Sequence, residues 1–492
     1  AGALAGLLAA LPSFTDLSGS VQVASNIAST GNAGNLHAPL RAIQVFGIWL
    51  AESYKVQPAG SSLAITHVLI AIAFACALLG AVHVLRIRAF ALAAWLALML
   101  LAWLIVSREV TTWANAKTLM LTSPVVMLLA WAGIASLRAL PVRALGTGAA
   151  ALLALALLAG VLVSDAKQYH AANLAPTARY RELADVNSRF AGQGPTVFTD
   201  FDEYSLYVLR DLDIGGPDFV YPPTALAAAA GGYGNPVDLA RAAPAALAPY
   251  PLIVTRRDPS APRPPAAYAL AWEGTYYEVW RRRSAAPALA HVALTGSAAA
   301  RCARIAALGA GAPAGAWLAV SQAPPIVRVA LADTVHPRNW GHERAGLVMK
   351  HQGTLTAPVE LPSAGTWDVW LAGQFMPPVA VGLDGRTVGT IAGELSGNSL
   401  VPGAAPPLRV TLAAGRHPLQ ITRGGFTLAP GNGGAAVLDA IFLTPAGVPA
   451  HGALRAAPAA RAGQLCAAGA EWAELLPSSP ATLVARGPGQ AP

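Results

Sequence analysis

Four apolar runs constrain this chain more than any other feature. They cover roughly 63–85, 89–106, 118–137 and 144–163, and none holds an Asp, Glu, Lys or Arg inside its apolar stretch. Runs of about 18–23 residues are long enough, as helices, to cross a hydrocarbon core about 30 Å thick. One such run could be a buried core helix. Four in succession indicate an α-helical transmembrane bundle with four complete spans. Composition agrees, with 54% hydrophobic residues, 12% charged and a mean hydropathy of +0.48. A soluble domain carries about 25% charged residues, so a disordered chain and a purely soluble cytosolic enzyme are both excluded.

The net charge of +8 does not indicate nucleic acid. Residues 1–164 hold 8 Lys/Arg against 3 Asp/Glu, and residues 165–492 hold 25 against 22. The excess therefore flanks apolar segments, as membrane-bordering charge does, and forms no basic stripe. Arg86, Arg88, Arg138 and Arg143 lie in the turns after the first and third runs. The opposite side has Arg108 and Lys117, with Glu109. This bias puts the arginine turns in the cytoplasm and residues 13–62, 107–117 and all beyond Ser164 outside. Residues 1–12 are apolar, too few to span, and preceded by no basic region. They read as the tail of a truncated transmembrane helix, so the chain is expected to be a piece of a longer membrane protein.

Residues 13–62 read as an extracytoplasmic loop in which Ala42–Leu50 forms a re-entrant or interfacial helix with Trp49 at the surface. Arg41 precedes this helix, and Tyr54 and Lys55 follow it. Trp113 with Arg108 and Lys117 reads either as an aromatic belt or as a site for the phosphate of a lipid-linked substrate. Pro124 is expected to kink the third span.

Residues 165–285 show α/β signals. Tyr180, Leu183, Val186 and Phe190 recur at helical spacing, with Pro176 at the helix start. A β-rich run ends at Asp200, "DEYSLYVLRDL" reads as a second helix, and 250–258 as a strand. Residues 268–282 read as a hairpin turning at Glu273-Gly274. Asp200, Asp202 and Glu203 directly follow a strand, where open α/β sheets bind ligands. They are candidates to contact an acceptor or a divalent cation, with helix capping as the plainer alternative. No metal is required by the sequence. Fingerprints for dinucleotide, ATP, zinc-protease and α/β-hydrolase sites are absent.

Residues 286–447 read as an all-β sandwich of short strands, with Asp384-Gly385 at a hairpin turn. The remaining 448–492 read as an Ala/Gly/Pro-rich tail with one possible added strand around Cys466 and "EWAELL". Cys302 and Cys466 both fall in the outside region, where disulfides persist, and are expected to be bridged.

The stretches 364–371, 379–388, 412–421 and 438–443 resemble, in that order, the strands of carbohydrate-binding jelly rolls. That resemblance implies glycan contacts from aromatic faces and a loop amide, for which Trp370, Phe375, Phe426 and Asn432 are the candidates. Core packing is the competing role for each ring. The whole order of parts, with "AIQVFGIWL", "WANAKTLMLTSP", "FTDFDEYSLYVLRDL" and "WEGTYYEVWRR", is similar to the C-terminal half of actinobacterial integral-membrane glycosyltransferases of the GT-C type. That class includes cell-wall arabinosyltransferases. The resemblance implies a polyprenyl-phosphate sugar donor, a cell-envelope polysaccharide acceptor and a catalytic carboxylate upstream of Ala1. Arg41, Lys55, Arg108 and Lys117 are then the candidates for the donor phosphate. The alternative is a non-catalytic, membrane-anchored glycan-binding or envelope-assembly protein. A transporter fits less well, because the spans lack intramembrane charge and inverted repeats.

Overall fold

The computed structural model describes residues 36, 39–109 (backbone only for 106–109), 111–172, 174–202, 204–216, 226, 235–284, 288–343, 346–392, 403–425 and 427–480. The chain divides into two units, 1–172 and 173–492.

The first unit is helical: α1 Gly60–Arg86, α2 Phe90–Glu109, α3 Thr112–Ser136 and α4 Arg143–His170. Three helices, Gly60–Arg86, Thr112–Ala139 and Arg143–His170, are long and apolar enough to cross a membrane. The expected second span coincides with the helix Phe90–Glu109, whose apolar side chains are described over Phe90–Ile105. Ile65, Val68, Phe74, Leu78, Val82 and Leu85 point outward from α1 and are exposed. An apolar exterior is what insertion into a bilayer asks for.

Small residues set the packing of the bundle. Thr66, Ile70, Ala73, Ala77, Gly80 and Val84 form the buried stripe of α1 at helical spacing. Gly80 and Gly133 let α1 and α3 approach backbone to backbone. A Cβ at Gly80 would lie 1.8 Å from the Leu129 carbonyl oxygen. Helix α3 runs continuously through Pro124.

The segment before α1 differs from the expected interfacial helix. Only Ala42–Phe46 form a short 3-10 turn, and Ile48, Trp49 and Leu50 continue as buried chain. Trp49 is 5% exposed and not at the surface. Its backbone N–H donates to Ser164 Oγ at 2.8 Å and its indole N–H to the Val56 carbonyl at 2.9 Å. Non-helical backbone survives among apolar helices only where such partners satisfy it.

Among its described residues the second unit contains four sheets. Helix α5 (Thr177–Phe190) buries Leu183, Val186 and Phe190, the face given by their spacing. It lies on a five-stranded sheet of order β2-β1-β3-β5-β4. Its strands are β1 Thr196–Phe198, β2 Ile214–Gly215, β3 Leu252–Arg256, β4 Tyr268–Glu273 and β5 Tyr277–Arg282. Strands β2, β1 and β3 are parallel, and β3, β5 and β4 antiparallel. The turn between β4 and β5 is held by Glu182, whose carboxylate accepts the N–H groups of Thr275, Tyr276 and Tyr277, each at 2.8 Å. The expected second helix shrinks to one turn, α6 Ser205–Val208. A further short turn, α7, covers Pro244–Leu247.

Next in the chain come β6 Ala290–Ala293, α8 Ala298–Ala310 and β7 Trp317–Gln322. The sandwich follows, from β8 Val327–Val329 through β9 Gly341–Glu343, β10 Gly346–Met349, β11 Gly353–Leu361, β12 Gly365–Gln374, β13 Val379–Leu383, β14 Arg386–Ile391, β15 Gly403–Ala404, β16 Leu408–Leu412 and β17 Gly415–Arg423 to β18 Ala436–Pro445. One sheet holds β15, β16, β12, β18, β8, β10 and β9; the other runs β11-β17-β13-β14. Most successive strands alternate between sheets, as in a jelly roll. Leu347, Met349, Val369, Leu371, Leu438, Ile441 and Leu443 from one sheet meet Leu355, Val359, Val379, Val381, Leu419 and Ile421 from the other. Asp384 and Gly385 have φ of 52° and 75°, the pair of positive values that a type I′ hairpin turn needs. The strands flanking Ala414, β16 and β17, fall in opposite sheets, so that turn is a corner.

The sandwich is thus narrower than 286–447, and the residues after 448 are more than a loose tail with one strand. Strands β19 (Ala453–Pro458) and β20 (Ala470–Leu476) pair with β7 and β6 in a separate sheet, β19-β7-β20-β6. Helix α8 covers it, and Cys302 on α8 is bonded to Cys466, with Cα atoms 5.0 Å apart. Apolar patterning in 290–322 and 453–476 finds its partner across the sandwich inserted between them, which local spacing does not reveal.

Candidate functional site

The carboxyl ends of the parallel strands β1 and β3 are where an α/β sheet of this kind receives a ligand. Here that position is filled from within the protein. Arg256 closes β3 and donates from Nε and Nη2 to the Ala404 carbonyl of the sandwich at 3.0 and 2.7 Å. Its Nη1 lies 3.7 Å from Asp200. Arg257 pairs with Glu273 at 2.9 Å and lies 5.7 Å from the centre of the Trp370 ring.

This arrangement settles the acidic cluster. Asp202 is wholly buried, 3.0 Å from Arg179 Nη2, and accepts from the Tyr180 hydroxyl and the Tyr204 N–H, each at 2.9 Å. Burial pushes its carboxyl above the ordinary range, against the pull of the Arg179 guanidinium. Its oxygens are occupied, so Asp202 pins the turn into α6 and is not a ligand contact. Asp200 faces Arg256, and Glu203 lies outside the described residues. Among the described residues no group of three His, Cys, Asp or Glu could hold a metal ion.

The glycan candidates are corrected in the same way. Trp370 is 2% exposed, donates its indole N–H to Thr444 Oγ1 at 3.0 Å and stacks on Phe442. It points from the outer face of its sheet, but that face is covered. Phe375 is fully buried in the sandwich core. Neither ring offers a face to a sugar. Phe426 lies outside the described residues. Asn432 is half-buried, its side-chain amide donating to Thr427 Oγ1.

Of the donor-phosphate candidates, Arg41 is exposed and donates to Gln57 Oε1 at 2.6 Å. Lys55 lies 5.8 Å from the Tyr54 ring centre. Lys117 sits 3.5 Å from the centre of the Trp113 ring, in the first turns of α3. The side chain of Arg108 lies outside the described residues.

Sequence reasoning missed a set of buried polar contacts between histidines and carboxylates in the second unit. His291 Nδ1 is 2.9 Å from Glu474 Oε1, and its Nε2 is 2.9 Å from the Ala240 carbonyl. His451 Nε2 lies 2.9 Å from the Arg256 carbonyl and 3.3 Å from Glu278 Oε2, with Nδ1 3.1 Å from the Ala261 carbonyl. His291 and Glu474 are partners within the β19-β7-β20-β6 sheet and reach out to Ala240 and Ala266, whereas His451 meets Glu278 on β5 of the five-stranded sheet. Burial lowers Arg263 beside them to about 10. A cavity of about 60 Å³ is lined by Pro244, Leu247, Pro265, Tyr268, Arg282 and Glu474, among others. Burial pushes its Tyr268 hydroxyl up to about 12. The Glu474 oxygens already hold His291 and the Ala266 N–H, so this cavity presents no free carboxylate.

One face of the sandwich is polar and partly exposed: Thr354 is exposed, Thr356, Ala380, Gln420 and Thr422 are half-buried, and Gly382 is buried. Alternation in the β11-β17-β13-β14 sheet sends Leu355, Val359, Val381, Leu419 and Ile421 inward. Thr354, Thr356, Ala380, Gly382, Gln420 and Thr422 therefore lie on the opposite face. Thr354 pairs with Thr422 across the strands, their hydroxyls 3.0 Å apart, and Thr356 pairs with Gln420. On the far side of β17, Gln420 pairs with Gly382 and Thr422 with Ala380. Hydroxyls and an amide thus surround a floor of small residues, while Glu360 and Arg416 pair at one end.

No family model matches the sequence, and no curated protein matches it. Among solved structures, the chain is similar to the CBM36-1 domain of a multidomain xylanase from the hindgut metagenome of Trinervitermes trinervoides. Identity is 19% and the TM-score 0.20, over 25% of this chain and 98% of that one. It is also similar to a family 35 carbohydrate binding module from Clostridium thermocellum, at 14% identity and a TM-score of 0.17, over 26% and 98%. A third is a carbohydrate-binding module, CBM36, in complex with calcium and xylotriose, at 15% identity and a TM-score of 0.16, over 22% and 96%. Likeness of this size assigns no role to any residue here, and the sandwich is defined by its own strand order and core.

Proposed function

We propose that this chain is a membrane-anchored protein that holds a neutral polysaccharide of the cell envelope on the outer face of the β11-β17-β13-β14 sheet. The observation that carries this reading is the row of Thr354, Thr356, Gln420 and Thr422 around Ala380 and Gly382. Each hydroxyl donates and accepts, and the amide does both at separate atoms. A polyhydroxylated chain without charge is the ligand that such a face complements. Three long apolar helices in the other unit are compatible with anchoring in a bilayer. Affinity electrophoresis of the full chain in detergent, through gels containing neutral or acidic envelope polysaccharides, tests the reading. Retardation by a neutral polymer is expected; equal mobility in every gel rejects it.

The finer reading adds sugar transfer from a polyprenyl-phosphate donor on the outer side of the membrane, with the general base supplied by a carboxylate outside this chain. Lys117 over the Trp113 ring favours it, because a cation held at the start of an apolar helix suits a lipid phosphate. Native mass spectrometry with a polyprenyl phosphate should show a bound species that is lost in Lys117→Ala. Equal binding by that variant would remove Lys117 from the donor site.

A further inference from the structure

Two histidines near the start of the sandwich meet beside β11, where Val335 forms an antiparallel bridge with Thr356. His336 lies in the turn before Trp340, and His342 in β9, the edge strand of its sheet. Their ring centroids are 5.6 Å apart, with ring planes at 71°. His336 Nδ1 lies 3.1 Å from the Pro337 carbonyl. A carbonyl only accepts, so in the neutral ring the proton belongs on Nδ1 and the lone pair on Nε2. The same ring stacks on Trp340 at 11° and 6.4 Å, and the buried Trp340 is fixed by its own N–H bond to the His351 carbonyl at 2.9 Å. Metal-binding histidines are oriented in this manner, through a carbonyl on the nitrogen that does not bind. The His342 ring is exposed and makes no hydrogen bond or ion pair among the described residues, while neighbouring Glu343 pairs with Lys350 at 3.4 Å.

The two rings meet edge to face at a separation that two imidazoles sharing one ion can also adopt. A metal–nitrogen bond of about 2.1 Å sets each ring centroid about 3.2 Å from the metal, and a tetrahedral angle then separates the centroids by about 5.2 Å. The observed 5.6 Å corresponds to the same arrangement with the angle opened to about 120°.

We propose that His336 and His342 bind a divalent transition-metal ion of the Zn²⁺ class, with water in the remaining positions. Imidazole nitrogen selects Zn²⁺, Ni²⁺ or Cu²⁺ over Ca²⁺ and Mg²⁺, which take oxygen ligands. Two protein ligands make an open, exchangeable site, unlike a closed four-ligand centre. Its occupation ties the turn before Trp340 to the sheet edge. The test uses the full chain in detergent, titrated with ZnCl₂ by calorimetry, and with Cu²⁺ followed by electron paramagnetic resonance. One Zn²⁺ per chain is expected, with at least about a tenfold loss of affinity in His336→Ala and in His342→Ala and none in His351→Ala. Cu²⁺ should show two nitrogen ligands in the parent and one in each single variant. Because His342 is exposed on an edge strand, His342→Asn carries the test if His336→Ala misfolds. Unchanged Zn²⁺ affinity in the His342 variants, or displacement of Zn²⁺ by excess Ca²⁺, overturns the proposal.

Discussion

The guanidinium of Arg179 on α5 lies 3.0 Å from the carboxylate of Asp202, and the two side chains are 1% and 0% exposed. This pair decides what the acidic segment after β1 does. Removing one member of a buried pair strands the other charge, at a cost of about 3–5 kcal/mol. Asp202→Ala should therefore lower the stability of the second unit by about that amount in denaturant titrations of the full chain. Asp200→Ala should cost far less, since the ion pair of Asp200 among the described residues is the looser one to Arg256, at 3.7 Å. Equal losses in the two variants would show that Asp202 has no special structural role.

The contact between Gly80 and Leu129 makes a prediction for the helical unit. A methyl group at Gly80 would sit 1.8 Å from a backbone oxygen, which no side-chain rotation relieves. Gly80→Ala should destabilise the bundle by about 1–3 kcal/mol, the usual cost of overpacking. Gly148 on α4 has no atom within 4 Å of the same position. Gly148→Ala should be neutral or slightly stabilising. Thermal unfolding in one detergent, followed by circular dichroism, compares the two directly.

His417 and Asp384 predict a pH dependence of the sandwich. The Asp384 carboxylate accepts from His417 Nδ1 at 2.8 Å, and this bond holds the imidazole above its ordinary range. A raised folded-state value means that the contribution is complete below about pH 6.5, the unfolded value, and is lost as pH rises through the folded one. Asp384→Asn keeps a residue tolerant of positive φ at the turn while deleting the charge. Its melting temperature should fall below the parent's by about 1–2 °C at pH 6, and the gap should close towards pH 9. A gap that persists or widens at high pH would contradict the assignment.

The parts of this fold legible in the sequence are those set by neighbours in the chain. The face of α5 follows from the spacing of Leu183, Val186 and Phe190, and the β13–β14 turn from Asp384-Gly385. What was hidden depends on long-range pairing. Trp370 stood between glycan contact and core packing because strand alternation sends it to the outer face of its sheet, and the choice is made by Arg257 from another sheet, which lies over the ring. Glu474 and His291 are 183 residues apart, and neither sits in a local pattern that marks a buried hydrogen-bonded pair. The polar row on β11 and β17 was missed because threonine and glutamine at alternating positions read simply as the solvent side of a strand.

The central claim concerns that row, and equilibrium binding of one neutral envelope polysaccharide tests it most directly. The full chain and a Gln420→Ala, Thr422→Val double variant would be compared in the same detergent, with melting curves showing that both are folded. The account predicts saturable binding by the parent and at least about a tenfold weaker affinity in the variant, a difference of about 1.4 kcal/mol. Equal affinity in the two proteins would contradict it.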